Sequence, residues 1–149
     1  MKIYIGSDHR GFKLKESIKI YLADIGQDVI DVGAKQYVEG DDFTEPAFVV
    51  AEKVSSEPEN YRGILICGSG EGMVIAANKF KNVRAALAAN ADQAADSRTA
   101  DDTNVLALAA DFTSEADAEK IVSIWLETEF DNAQRHVRRL KKIEELENK

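Results

Sequence analysis

The sequence predicts an α/β fold: one five-stranded parallel sheet covered by helices on both faces. Three observations carry that prediction. Apolar runs of strand length alternate with helical patterns from one end to the other. One run, Gly63-Ile64-Leu65-Ile66-Cys67, is continuously apolar, as a central strand covered on both faces must be. No Pro/Ser-rich linker or low-complexity tract divides the 149 residues, a length that suits a single domain over 1–149.

The elements follow in order. Lys2 to Ser7 is a strand rich in β-formers. Phe12, Leu14, Ile18 and Leu22 recur among charges at helical spacing, which predicts a helix over 11–24 ended by Gly26. Val29 to Gly33 is a second strand, and the polar, acidic residues 35–45 form a loop. Pro46, tolerated in a first turn, begins a helix running to about Ser55. The third strand ends at Cys67, and Gly68-Ser69-Gly70-Glu71-Gly72 leads into a helix over 73–80. Arg84 to Ala89 is a fourth strand, Gln93 to Arg98 a short helix, and Asn104 to Leu108 a fifth strand. Ser114, with Asp117 three residues on, starts a helix running to about Thr128, and a charged helix covers 132–147. Ligands of such sheets bind beyond the carboxyl ends of the strands. That rule directs attention to Asp8-His9, the loop after Cys67, the segment 98–104 and residues 109–113.

Composition narrows the function classes. With 44% hydrophobic residues the chain has material for a core, which excludes wholesale disorder. No run of apolar residues is long enough to span a membrane. The first residues enter a strand without an apolar stretch of signal-peptide length. The single cysteine excludes an internal disulfide framework and fits a reducing cytoplasm. A net charge of -8 disfavours non-specific binding to nucleic acid or an anionic membrane, so an anionic substrate would need a local basic patch.

The glycine loop after Cys67 is the sharpest local feature. It opens a helix, so its N–H groups could hold a developing negative charge, or it could be no more than a tight turn. Its G-x-G-x-G spacing is neither a P-loop nor a dinucleotide fingerprint. Cys67 has two readings, a buried small hydrophobe or a thiol whose pKa is lowered by the adjacent helix start. Asp8 could cap the following helix. The two histidines, His9 and His136, argue against a multi-histidine metal site. Five of the nineteen Lys and Arg residues fall in 134–142. Arg135 and Arg139, four apart, share a helical face suited to a phosphate dianion, although such a run can also be a solvated face.

Taken together, these segments resemble the type B ribose-5-phosphate isomerase and galactose-6-phosphate isomerase family. The matching stretches are Gly6 to Lys15, Asp31-Val32-Gly33, Gly63 to Met73, Ile75 to Lys79, Arg84 to Leu87, Asn104 to Leu108 and Arg135 to Arg139. The resemblance implies a three-layer Rossmann-like α/β/α domain with a C-terminal helix. It implies aldose–ketose isomerisation of a sugar phosphate, foremost ribose 5-phosphate, with no cofactor and no metal. It also implies a homodimer or homotetramer whose active site takes residues from two subunits. By the same resemblance Cys67 is the base that moves a proton between C1 and C2. The backbone of Gly68, Gly70, Glu71 and Gly72 stabilises the enediolate, and Ser69 assists proton transfer between the oxygens. Asp8 and His9 contact the substrate, and Arg135 and Arg139 hold its phosphate.

The chain departs from the family pattern at three neighbouring places. The family's ring-opening histidine is Ala100 here, its substrate-contacting asparagine is Asp101, and a phosphate-binding arginine is Asp111. The usual Asp-Tyr-Pro is spread into Asp42-Phe43-Thr44-Glu45-Pro46. Ring opening and part of the phosphate pocket are therefore the open questions. A tetrose 4-phosphate, a hexose 6-phosphate or a catalytically impaired paralogue are the alternatives.

Overall fold

The computed structural model describes residues 1–149. Its strands are β1 (Lys2–Ser7), β2 (Asp28–Asp31), β3 (Tyr61–Cys67), β4 (Ala85–Leu87) and β5 (Val105–Ala109). Its helices are α1 (Phe12–Asp24), α2 (Thr44–Ser56), α3 (Glu71–Ala77), α4 (Ala91–Asp101), α5 (Glu115–Glu127) and α6 (Gln134–Glu147). All strand pairs are parallel, in the order β2-β1-β3-β5-β4.

The period-2 alternation of the strands divides the core. Ile3 and Ile5, Ile64 and Ile66, and Leu106 and Leu108 face α1, α4 and α5, where Trp125 and Leu22 close the layer. Tyr4, Leu65, Cys67 and Val105 face the other way, onto α2 and α3. Cys67 therefore belongs to the α2–α3 layer, at the carboxyl end of the central strand. The helix after β1 and the helix after β3 lie on opposite faces, which opens a crevice between those two strand ends.

Several boundaries move for local reasons. Helix α4 is longer than the predicted 93–98 because Asn90 caps it, its side chain accepting the Gln93 N–H. Helix α3 begins at Glu71, directly on the glycine turn, and is only seven residues long. One expectation is overturned. The segment 98–104 contains the end of α4 and the turn into β5, so it stands at the edge where strands begin, not at their carboxyl ends.

Gly11 fixes how closely α1 approaches the sheet. Its φ of -92° is open to any residue, but a Cβ there would stand 2.1 Å from the Ile66 carbonyl oxygen. Lys15 anchors the next turn of the same helix. Its buried ammonium donates to Asp31 at 2.5 Å and to the Ala34 carbonyl at 3.0 Å. Burial would push the Asp31 carboxyl up. Lys15, Lys19 and the Gly33 N–H outweigh it and hold the group below the ordinary carboxylate range. This cluster ties the end of β2, and the loop that follows it, to α1.

Candidate active site

β1 and β3 are neighbours, so Asp8-His9 and the Cys67 loop emerge side by side. Cys67 is buried, and its Sγ accepts the Gly70 N–H at 3.1 Å. Gly70 adopts φ +79°, a left-handed conformation, and a Cβ there would stand 2.5 Å from Leu87 Cδ1. Only glycine fits both demands, and the turn it makes aims successive N–H groups at the space around the sulfur. Ser69 is half-buried between Gly68 and Gly70, and Glu71 is exposed.

Of the two readings of Cys67, the structure bears out burial and goes against the lowered pKa. Burial pushes the Cys67 pKa up, and nearby Asp8 adds to the rise, while the N–H groups of Gly70, Met73 and Ser69 oppose it. The net direction is upward, not the lowering read from the helix start. A helix of seven residues cannot outweigh the loss of water around a buried sulfur.

Asp8 is buried, and its Oδ1 accepts the Gly11 N–H at 2.9 Å; Gly11 is itself the N-cap of α1, which has no side-chain cap, so Asp8 braces the turn leading into the helix and does not cap it. It also lies close enough to Cys67 to act on its charge. His9 is held by Asp41, a residue with no distinguishing sequence signal inside a polar loop. The same loop reaches the glycine turn, because the Phe43 ring packs directly on Gly72.

Asp111 does not stand as an unpaired charge. It forms an ion pair with Arg10, whose guanidinium lies against Gly68, and its own N–H donates to the Gly68 carbonyl at 3.0 Å. A guanidinium thus borders the glycine loop, supplied from the end of β1 instead of from position 111. The pairing of Arg10 with Asp111 was not legible in the sequence, since the two lie 101 positions apart.

The remaining expected site residues lie elsewhere in the chain's fold. Asp101 is exposed at the last position of α4, beyond the starting edge of the sheet. Helix α6 packs at that same edge, where Glu147 accepts the Asn82 N–H at 3.0 Å. A cavity of about 500 Å³ lies beneath α6 between Arg84, Asp102 and Leu140, away from the Cys67 loop. Arg135 and Arg139 are both exposed on α6. Arg135 is oriented by a relay: its Nε donates to His136 Nε2 at 3.1 Å, and His136 Nδ1 lies 2.9 Å from Asp131 Oδ1. The Ala133 N–H, and then His136, hold the Asp131 carboxyl below its ordinary range. The outer guanidinium nitrogens of Arg135 stay free for an anion.

One chain therefore assembles the thiol, the N–H turn, Asp8 and His9, and leaves Asp101, Arg135 and Arg139 at the opposite edge. No helix is long and apolar enough to cross a membrane.

Comparison with known proteins gives a consistent picture. The model of the ribose/galactose isomerase family matches residues 3–143. The crystal structure of ribose-5-phosphate isomerase B from Mycoplasma genitalium, with bound ribulose-5-phosphate, superposes with a TM-score of 0.96 at 40% identity, covering 99% of this chain and 97% of that one. Ribose-5-phosphate isomerase B of Mycobacterium tuberculosis is 35% identical over 147 residues, 99% of this chain and 90% of the other. A 4-deoxy-4-sulfo-D-erythrose isomerase of Clostridium sp. strain MSTE9 is 44% identical over 108 residues, 72% of this chain and 67% of the other.

Proposed function

Because the chain belongs to the ribose/galactose isomerase family, we propose that it interconverts ribose 5-phosphate and ribulose 5-phosphate through an enediolate. The observation that carries the reading is the Cys67 sulfur at the end of the central strand, set against the N–H groups of a glycine turn. Moving a proton beside a carbonyl needs a base and a site for the resulting oxyanion, within one hydrogen-bond radius of each other. The Cys67 thiolate takes the proton from C2 of the open-chain aldose and returns one to C1. Charge that develops on the oxygens falls on the N–H groups of the Gly68–Gly72 turn, and the Ser69 hydroxyl relays the proton from O2 to O1. An upward-shifted thiol is scarcer as thiolate at neutral pH but a stronger base once formed.

The phosphate end needs a second copy of the chain. Arg135 and Arg139 cannot serve the Cys67 loop of their own subunit, because α6 packs at the far edge of the sheet. In a homodimer they, with Asp101, reach the other subunit's loop. Phe43, Phe48 and Ile75 are exposed on the α2–α3 face beside Gly72, and they supply apolar surface for such contact. A reactive thiol also works best in a reducing compartment, which supports a cytoplasmic location.

The test is a kcat/KM panel over ribose 5-phosphate, a tetrose 4-phosphate and a hexose 6-phosphate, repeated with Cys67→Ala. Ribose 5-phosphate should lead, and the variant should lose roughly 10²–10⁴-fold. Near-wild-type activity in Cys67→Ala would remove the assigned base. A tetrose bearing its anion at C4 outperforming the pentose would move the substrate assignment.

A further inference from the structure

Resting on the isomerase reading above, we infer that Asp41 is a positioning residue that turns His9 into the acid–base group for opening the sugar ring. A single carboxylate oxygen, Asp41 Oδ1, accepts the backbone N–H of His9 at 2.6 Å and meets its ring Nδ1 at 3.0 Å. An ionised carboxylate only accepts, so Nδ1 carries the hydrogen and Nε2 presents a lone pair. Nε2 has no hydrogen-bond partner within the chain. Tyr37 meets the imidazole edge-on at a centroid distance of 6.2 Å. Asp41 also lines a cavity of about 190 Å³ with Ser7, whose hydroxyl is buried and unpartnered. A sugar hydroxyl in that cavity would satisfy it.

The need for such a group follows from the substrate. Ribose 5-phosphate is mostly a closed hemiacetal with no carbonyl at C1, so its C2–H is not acidic until the ring opens. The other candidates are engaged or out of place. Asp102 is held between Arg84 and Arg98 at 2.7 and 2.8 Å. Asp8 accepts the Gly11 N–H, Ala100 has no proton to give, and Asp101, which only a second copy of the chain brings to the loop, has no hydrogen bond within the chain to orient it.

The step balances on one imidazole. Nε2 takes the proton of the anomeric hydroxyl as the bond from C1 to the ring oxygen breaks and the C1 carbonyl forms. The imidazolium then returns that proton to the departing ring oxygen. Both oxygens are bonded to C1, so one nitrogen reaches each in turn. Asp41 stabilises the intervening imidazolium and fixes the tautomer, as a buried carboxylate does for a catalytic histidine elsewhere.

Asp41→Asn in the full-length protein tests this, because ribulose 5-phosphate offers a substrate without a ring. Its O5 is esterified, so the ketose cannot close through that oxygen and remains open-chain. The variant should lose about 10²-fold in kcat on ribose 5-phosphate with KM little changed. Exchange of solvent deuterium into C1 of ribulose 5-phosphate, which needs only the Cys67 step, should stay within about twofold of wild type. Asp41→Glu should recover part of the lost turnover. A parallel fall in isomerisation and exchange overturns the inference, as does no fall in either. If the wild-type protein catalyses neither reaction, the isomerase reading itself fails. Nitrogen-15 NMR of the wild-type His9 ring supplies a readout independent of any variant's folding. It should show the Nδ1-protonated tautomer, and the Nε2-protonated form would refute the assignment.

Discussion

Gly11→Ala separates space from backbone conformation at the start of α1. The added Cβ would stand 2.1 Å from the Ile66 carbonyl oxygen, 2.5 Å from its carbon and 2.9 Å from Ile66 Cγ2. Ordinary contacts lie near 3.5 Å, so the helix start must withdraw from β3 by roughly 1 Å. The two nearest opposing atoms are backbone and cannot rotate aside, which puts the cost at the upper end of the overpacking range, about 3 kcal/mol. At about 2–4 °C per kcal/mol for a chain of this length, Tm should fall by roughly 6–12 °C. Gly26→Ala is the control. Gly26 has φ +77° and no atom within 4 Å of the place a Cβ would take, so its cost is conformational, about 1–2 kcal/mol. The two variants should also part in kinetics. Withdrawal of α1 drags Asp8 and His9 with it, and a misplacement of about 1 Å can cost on the order of 10²-fold. Gly26 lies past the other end of α1, so its variant should keep wild-type kcat. Differential scanning calorimetry and steady-state kinetics measure both. A Tm loss in Gly11→Ala no larger than in Gly26→Ala, with kcat intact, would refute the reasoning.

Further outcomes follow from the charges. Burial, then Asp8, push the Cys67 thiol up, so kcat/KM for ribose 5-phosphate should still be rising at about pH 9. A thiol raised in the folded state contributes stability below its ordinary pKa that is lost as pH rises. Wild type should therefore lose ground to Cys67→Ala on going alkaline, and a pH-independent gap in their Tm values would contradict this. Asp31 is held below its ordinary range, so its contribution is present above that range and disappears as pH falls through the folded value. The Tm deficit of Asp31→Asn at pH 7 should accordingly shrink in strong acid. Arg139→Ala should raise KM for the phosphorylated sugar far more than for its unphosphorylated analogue, and equal effects would remove the phosphate role. If the site is shared, specific activity should fall on dilution below the dimer dissociation constant, and a fully active monomer by light scattering would count against it.

The division between sequence and structure follows from the range of the interactions involved. Local signals were legible. Strand and helix types came from apolar periodicity, α5 from Ser114 accepting the Asp117 N–H, and the turn after β3 from closely spaced glycines beside the lone cysteine. Those signals depend on residues a few positions apart. The order β2-β1-β3-β5-β4 depends on which strands pair across the whole chain, and no periodicity encodes that. The same holds for Asp41 on His9, 32 positions away, and for Arg10 on Asp111. The rise in the Cys67 pKa likewise needs burial to be known, because the sequence shows the helix start that would lower it and not the layer of α2 and α3 that removes the water. The sequence by itself thus determined the elements and the residues that stand at the end of β3. Only the tertiary structure decided which distant side chains face that chemistry and which stand at the opposite edge. Those placements are set by packing between segments that the chain order does not bring together.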